Sequence, residues 1–321
     1  MQVQTATPLF SLAHDASAAA GRAVEPGGDH PMRISVVTPS FNQAPFLEAC
    51  LQSVASQRGC DVEHVVYDGG STDGSVAILE RWNGRVRWVS RRDRGQSDAV
   101  NQAIRGTQSE IVGWLNSDDF YYPDAFAAVL AAFRADDRID VVYGEADHVD
   151  IDGQPYERFP TEGWDGARLV DTCFICQPAL FFRRRIIAAV GLLDEALQFC
   201  MDYEYWMRFA DAGLDVRYIR QRLAASRMHA TNKTLGSRVS AHAEINSMLR
   251  KRLGVTPDHW LFNYGHAVAS RCVRRERFPR IYGSCMAGAA LFAALRWNAR
   301  VSGPMQRTIG GLVARTFAQR R

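Results

Sequence analysis

The sequence predicts an α/β fold with a mostly parallel central sheet and a C-terminal helical appendage. Three observations carry this. Short apolar runs alternate with amphipathic segments through residues 33–143. Polar clusters follow Thr38, Tyr67 and Leu115, at the carboxyl ends of strands, where open α/β sheets bind ligands. Beyond residue 268 the composition changes: residues 269–321 contain eleven Arg and one Glu.

The elements follow in order. Arg33-Ile-Ser-Val-Val-Thr38 reads as the first strand, punctuated by Pro39. Pro45 opens a helix that extends through Gln57. Val62–Tyr67 is the next strand, and its turn Asp68-Gly-Gly-Ser-Thr-Asp-Gly74 feeds a helix over Ser75–Trp82. Val86–Val89 and Ile111–Leu115 are strands on either side of a short helix, Asp98–Arg105. Pro123 starts a helix through Arg134, and Ile139–Tyr143 returns as a strand. Further on, the reading gives a strand at Gln177–Phe182, an amphipathic helix at Asp202–Ala212, an edge strand at Val216–Ile219 and a helix at Val239–Leu253.

Of the 321 residues, 47% are hydrophobic, enough for a large core. A net charge of +3 gives no sign of a nucleic-acid partner. Seven irregularly spaced cysteines argue for reduced thiols in a cytoplasmic setting. The lone Cys173-x-x-Cys176 pair lacks the second pair of a zinc site and reads as buried structural thiols. Residues 1–31 lack a signal-peptide pattern and read as a flexible extension. The longest uncharged C-terminal run, Ile281–Leu295, is short for a membrane span.

The polar clusters hold the candidate chemistry. Asp68, before two glycines, suits hydrogen bonds to a base or ribose, or else an Asx turn. Asn116-Ser-Asp-Asp119 follows an apolar strand. Asp118 and Asp119 there suit Mg²⁺ or Mn²⁺ completed by diphosphate, with capping as the alternative. Asp93, Gln96, Asp98 and Asn101 around Gly95 suit a sugar or nucleotide pocket, or a solvated loop and helix cap. Asp202 opens a helix bearing Trp206 and suits a proton acceptor, although a helix N-terminus lowers a carboxylate pKa. His229 suits metal or phosphate and Lys233 diphosphate, or else they are a satisfied loop histidine and a solvent-facing lysine. Gln177 offers an amide to sugar hydroxyls, or else Gln177-Pro178 is a strand-entry turn. No Walker or dinucleotide-binding glycine motif is present.

In this order the motifs resemble family 2 glycosyltransferases of the GT-A fold. The likeness runs through Val36-Val-Thr-Pro-Ser-Phe-Asn42, Asp68-Gly-Gly-Ser-Thr-Asp-Gly74 and Asp93-Arg-Gly-Gln-Ser-Asp-Ala-Val-Asn101. It continues through Trp114-Leu-Asn-Ser-Asp-Asp119 and Met201-Asp-Tyr-Glu-Tyr-Trp-Met-Arg208. The double-glycine turn resembles a bacterial subgroup of polysaccharide and glycoconjugate assembly. The resemblance implies a GT-A core over residues 32–235, with residues 236–321 as the appendage. It implies an inverting glycosyltransferase that moves a sugar from a nucleotide-diphosphate sugar, a UDP-sugar favoured, to a hydroxyl of a glycan or lipid-linked acceptor.

By the same resemblance, Pro39, Phe41, Asp68, Asp98, Asn116, Ser117, Asp118 and Lys233 bind the nucleotide sugar. Asp118, Asp119 and His229 hold Mg²⁺ or Mn²⁺. Asp93, Gln96, Asn101, Gln177 and Trp206 face sugar or acceptor, and Asp202 is the base. Two departures stand out: Asn116 occupies the first acidic position of the metal-binding signature, and Met201 replaces a frequent Glu. A nucleotidyltransferase and a noncatalytic nucleotide-sugar or carbohydrate-binding module are the alternatives. The Arg-rich tail suggests an anionic membrane surface at the cytoplasmic face, or else an internal appendage or homodimer contact.

Overall fold

The structure, a computed structural model, describes residues 32–229 and 232–318. The expected extension over residues 1–31 lies outside them. The first half is β1 (Arg33–Ser40), α1 (Ala44–Ala55), β2 (Asp61–Asp68), α2 (Ser75–Arg81), β3 (Arg87–Ser90), α3 (Gln96–Arg105) and β4 (Ile111–Trp114). Next come β5 (Phe120–Tyr121), α4 (Ala125–Ala135), β6 (Val141–Val149), β7 (Pro155–Arg158), β8 (Leu180–Arg183), α5 (Ile187–Val190), α6 (Met201–Asp211) and β9 (Val216–Arg227). The rest is helical: α7 (Lys233–Gly236), α8 (Arg238–Leu253), α9 (Asp258–Cys272), α10 (Pro279–Asn298) and α11 (Gly303–Ala318).

One sheet orders these strands β3-β2-β1-β4-β8-β6-β9-β5, with β7 beside β6. The first four are parallel, as their α/β alternation requires. Beyond β4 the sheet is mixed, because β8 runs antiparallel to both β4 and β6. Side chains alternate across it. Val36, Val142 and Phe181 enter the core under α4, whereas Val37, Val141 and Phe182 enter the core under α6.

The differences from the sequence expectation have local causes. β1 does not stop at Pro39, since Pro39 and Ser40 stay in register with Tyr67 and Asp68. The helix after Pro123 begins only at Ala125, because Asp124 is left-handed (φ +62°). Gln177–Ala179 is a 3₁₀ turn around Pro178 rather than strand. β9 is longer than the expected edge strand: its start, Val216–Tyr218, pairs with parallel β6 alone, whereas Ala224 and Ala225 lie between β6 and antiparallel β5. The register of β6 and β9 shifts beside Gly144, where an added Cβ would stand 2.6 Å from the Gln221 carbonyl oxygen.

The C-terminal helices share a core with the α/β half. Met248, Leu249 and Trp260 of α8 and α9 share the core of Trp206 and Phe209. A second apolar cluster, including Leu261, Ala290, Ala294, Trp297 and Met305, ties α9, α10 and α11 together.

Candidate active site

The carboxyl ends of β1 and β4 open onto a cavity of about 700 Å³. Pro39, Phe41, Asp93, Gln96, Asn116, Ser117, Asp118, Asp119, Gln177, Asp202 and Lys233 all line it. Phe41 stands at the rim, 59% exposed, as an aromatic face open to stacking. Lys233 begins α7, with Nζ 5.6 Å from the centre of the Phe199 ring. Partial burial lowers its pKa, opposed by the charges of Glu244 and Asp93.

Asn116 organises the floor. Its Oδ1 accepts from Gln96 Nε2 (2.8 Å) and Trp114 Nε1 (3.0 Å). Its Nδ2 donates to Gln177 Oε1 (2.8 Å) and Asp119 Oδ2 (3.3 Å). Gln177 Nε2 in turn donates to the Trp114 carbonyl (2.6 Å). An aspartate at this position has no proton to give Gln177, and it sets a carboxylate against Asp119. Asn116 is therefore matched to its neighbours. Asn116→Asp is expected to destabilise the protein by about 1–3 kcal/mol, read from denaturant unfolding, because buried acceptors are left facing each other.

Asp118 and His229, 111 residues apart, meet at 3.0 Å between Oδ2 and Nε2. The Phe46 ring packs 4.6 Å from the imidazole, and the Arg227 Nε donates to the Asp118 carbonyl (2.9 Å). Asp119 is differently placed. It is buried, its Oδ1 accepts the Arg227 backbone N–H (2.8 Å) and its Oδ2 accepts from Asn116. Burial, and then the Asp118 charge, raise its pKa well above the carboxylate range. Asp119 fastens β9 to the β4 loop, and the structure does not present it as a free ligand. Among the described residues no three His, Cys, Asp or Glu side chains gather as a metal cage. Asp118 lines the cavity, whereas His229 is buried behind it and outside the lining. One carboxylate with an imidazole bonded to it still fits Mg²⁺ or Mn²⁺ when diphosphate oxygens complete the shell.

Four expected contact residues turn away from the cavity. The Asp68 carboxylate accepts from the backbone N–H groups of Gly70 (3.1 Å) and Ser71 (2.8 Å), and from the Ser71 and Ser90 hydroxyls. It is the Asx turn of the loop. That loop passes close to Asp93: a Cβ on Gly69 would stand 2.9 Å from Asp93 Oδ2 and 3.2 Å from Phe41. Asp98 is buried against Arg94, whose guanidinium is 2.9 Å away and holds its pKa down. Asn101 is bonded through both amide atoms to the Leu193 backbone, fixing the loop before α6. Trp206 is buried between Tyr205 and Phe209, so it belongs to the core and offers a sugar no surface.

Asp202 is half-buried in the first turn of α6, its Oδ1 accepting the Tyr203 N–H (2.8 Å). Burial outweighs that bond and raises its pKa to about 6, with a smaller push from Glu244. The helix-terminus effect expected from sequence is thus overcome by desolvation. Glu244 has no signal in the sequence, because its contacts lie 44–46 residues away. From α8 its carboxylate accepts the backbone N–H groups of Gln198 (2.8 Å), Phe199 (2.7 Å) and Cys200 (2.9 Å), just before α6. It supplies from outside what an N-cap side chain supplies from within. Glu244→Gln keeps an acceptor and removes the charge that adds the smaller push to the Asp202 pKa, leaving the effect of burial in place. The acid limb of its pH–rate profile is expected to move below about 6, so the variant retains activity at more acidic pH than the wild type. Trp260, Ile245 and the thiols Cys173 and Cys176 complete this wall, and burial pushes the Cys173 thiol up.

The comparisons agree with this geometry. The sequence profile described as Glycosyl transferase family 2 matches residues 35–191. A PGL/p-HBAD biosynthesis glycosyltransferase of Mycobacterium bovis (strain BCG / Pasteur 1173P2) is 31% identical over 195 residues, which is 58% of this chain and 73% of that protein. Chondroitin synthase of Escherichia coli is 25% identical over 228 residues, 69% of this chain but 33% of its own length. The fold is that of Staphylococcus aureus TarS 1–349 in complex with UDP-GlcNAc, with a TM-score of 0.59 at 16% identity over 89% of this chain and 88% of that one. Mannosyltransferase PcManGT from Pyrobaculum calidifontis, in complex with GDP-Man and Mn²⁺, gives 0.57 at 17% identity over 90% and 81%. The sheet, the cavity at its strand ends and these relatives assign the chain to glycosyltransferase family 2.

Proposed function

We propose that the protein transfers a sugar, with inversion, from a nucleotide-diphosphate sugar to a hydroxyl of a glycan or lipid-linked acceptor. The carrying observation is that Asp118, bonded to His229 behind it, and Asp202 line one cavity although they come from distant segments. The solved relatives with UDP-GlcNAc and GDP-Man support a nucleotide-sugar donor. Phe41 stacks the base, Lys233 balances diphosphate charge, and Gln96, Asn116 and Gln177 form the polar floor. Asp68, Asp98 and Asn101 position the loops that carry this wall.

Asp118 and His229 would hold Mg²⁺ or Mn²⁺, which stabilises the negative charge that develops on a diphosphate leaving group. Asp202 accepts the proton of the acceptor hydroxyl as its oxygen bonds to the anomeric carbon and the bond to diphosphate breaks. A carboxylate with a pKa of about 6 is a stronger base than an ordinary aspartate and is still ionised near neutrality. The Asp202 side chain sits on a helix packed into the core, which restricts its approach to one direction. The test is a panel of nucleotide sugars and acceptors with product mass spectrometry.

Seven free cysteines support a reducing, cytoplasmic setting. Among the described residues no helix is long and apolar enough to cross a membrane. Exposed Ile281, Phe292 and Leu295 on α10, in a stretch of sequence that carries eleven arginines over residues 269–321, support contact with an anionic membrane surface.

A further inference from the structure

A second cavity, of about 660 Å³, lies in the appendage between α8, α9 and the turn before α10. It shares no lining residue with the catalytic cavity. We propose that it is an anion site that takes the phosphate of a phosphate-bearing ligand.

The cavity carries unbalanced charge. Several arginines of the α/β half meet carboxylates, such as Arg94 with Asp98 and Glu195, Arg208 with Glu204, and Arg185 with Asp140. Arg238, Arg274 and Arg275 line this cavity, and among the described residues none of the three is ion-paired. One carboxylate, Glu276, shares the lining. Three guanidinium groups around one concavity create a positive potential, focused by the surrounding low-dielectric wall. Nothing in the packing of α8 or α9 needs that arrangement, since all three arginines are exposed. A bound anion gives it a purpose.

The histidines report the same field. His242 and His266 also line the cavity. The pKa of His266 is lowered by burial first, then by Arg275 and Arg238. That of His242 falls to about 4, chiefly by burial and then through Arg238 and His259. Arg238 from α8 and Arg275 from the turn therefore act on one imidazole between them. An anion held there offsets both charges.

The wall is also ordered. The Arg275 guanidinium lies over the Tyr282 ring, 5.7 Å from its centre. The Tyr282 hydroxyl lies 3.0 Å from both His266 Nδ1 and Ser270 Oγ. A planar guanidinium held on an aromatic face presents its N–H fork in a restricted direction, and that fork matches two phosphate oxygens. The volume exceeds the needs of one phosphate group, so the phosphate is part of a larger molecule or of a diphosphate. Two sources share this chemistry: a soluble diphosphate and a phospholipid headgroup. Phe278, 46% exposed, and Ile281, 58% exposed, follow the arginines directly in the chain and would lie beside a bound lipid.

The test uses the full chain in chelator, which suppresses metal-assisted diphosphate binding at the catalytic cavity. One arm titrates inorganic pyrophosphate by calorimetry. The other sediments the protein with phosphatidylcholine vesicles, with and without phosphatidylglycerol. The variant is Arg238→Gln/Arg274→Gln/Arg275→Gln, with the single Arg274→Gln and Arg275→Gln changes as milder controls, and folding is checked by circular dichroism. The proposal expects binding by the wild type in at least one arm, weakened about tenfold or more in the triple variant. Loss in the pyrophosphate arm identifies a soluble diphosphate, and loss confined to phosphatidylglycerol vesicles identifies a headgroup. Equal behaviour of the wild type and the folded variants in both arms, including no binding by any of them, overturns the proposal.

Discussion

Asp202→Asn is expected to lower kcat for sugar transfer about a thousandfold while leaving donor binding within a few fold, since general-base contributions are typically of that size. Asparagine is nearly isosteric and still accepts the Tyr203 N–H, so α6 keeps its place. What it loses is the ability to take a proton. The wild type carries its own control. With a pKa raised to about 6 by burial, Asp202 is active when ionised, so log kcat/KM should fall as the pH drops below about 6. The variant should show no such limb. A variant that keeps near-wild-type turnover, or the same acid limb, contradicts the role of Asp202.

The second large effect belongs to the Asp118–His229 pair. Asp118→Ala is expected to reduce kcat/KM by about a hundred- to a thousandfold, the range for removing one stabiliser of developing charge. His229→Ala should do nearly the same, and the double variant should be little worse than either, because the two side chains act at one point. Titration of Mn²⁺ followed by electron paramagnetic resonance reads the same pair without turnover: wild type with donor should bind the ion, and both single variants should bind it more weakly. Full activity of Asp118→Ala after chelation removes the pair from the mechanism.

The parallel half of the fold was legible because its strands are continuous apolar runs followed by polar turns, as in Ile34–Thr38 and Ile111–Leu115. The mixed half was less so. β9 hides its buried Leu223, Ala224 and Ala225 behind an arginine-rich start, and its length follows from its pairing along β6 rather than from its own pattern. In the site, the order of the polar clusters located the cavity, but a motif does not say which way a side chain points. Asp68 and Asp119 are acidic residues in ligand-binding places, and each spends its oxygens on backbone and side-chain donors of the protein itself. Trp206 lies one turn beyond Asp202 on α6, but its ring is buried against Tyr205 and Phe209. Glu244 was invisible because its function is made only by folding α8 against residues 198–200. Asn116 read as a departure from a metal-binding signature, and its four hydrogen bonds show the physical sense of an amide there.

Transfer of a sugar from a nucleotide-diphosphate donor is read from its products. The protein is incubated with a panel of nucleotide sugars and glycan or lipid-linked acceptors, and the products are resolved by mass spectrometry and by the anomeric coupling in nuclear magnetic resonance. The expected products are a glycoside of inverted anomeric configuration and free nucleoside diphosphate, both lost in Asp202→Asn. Release of pyrophosphate, a retained anomeric configuration, or tight donor binding with no transfer to any acceptor would contradict it.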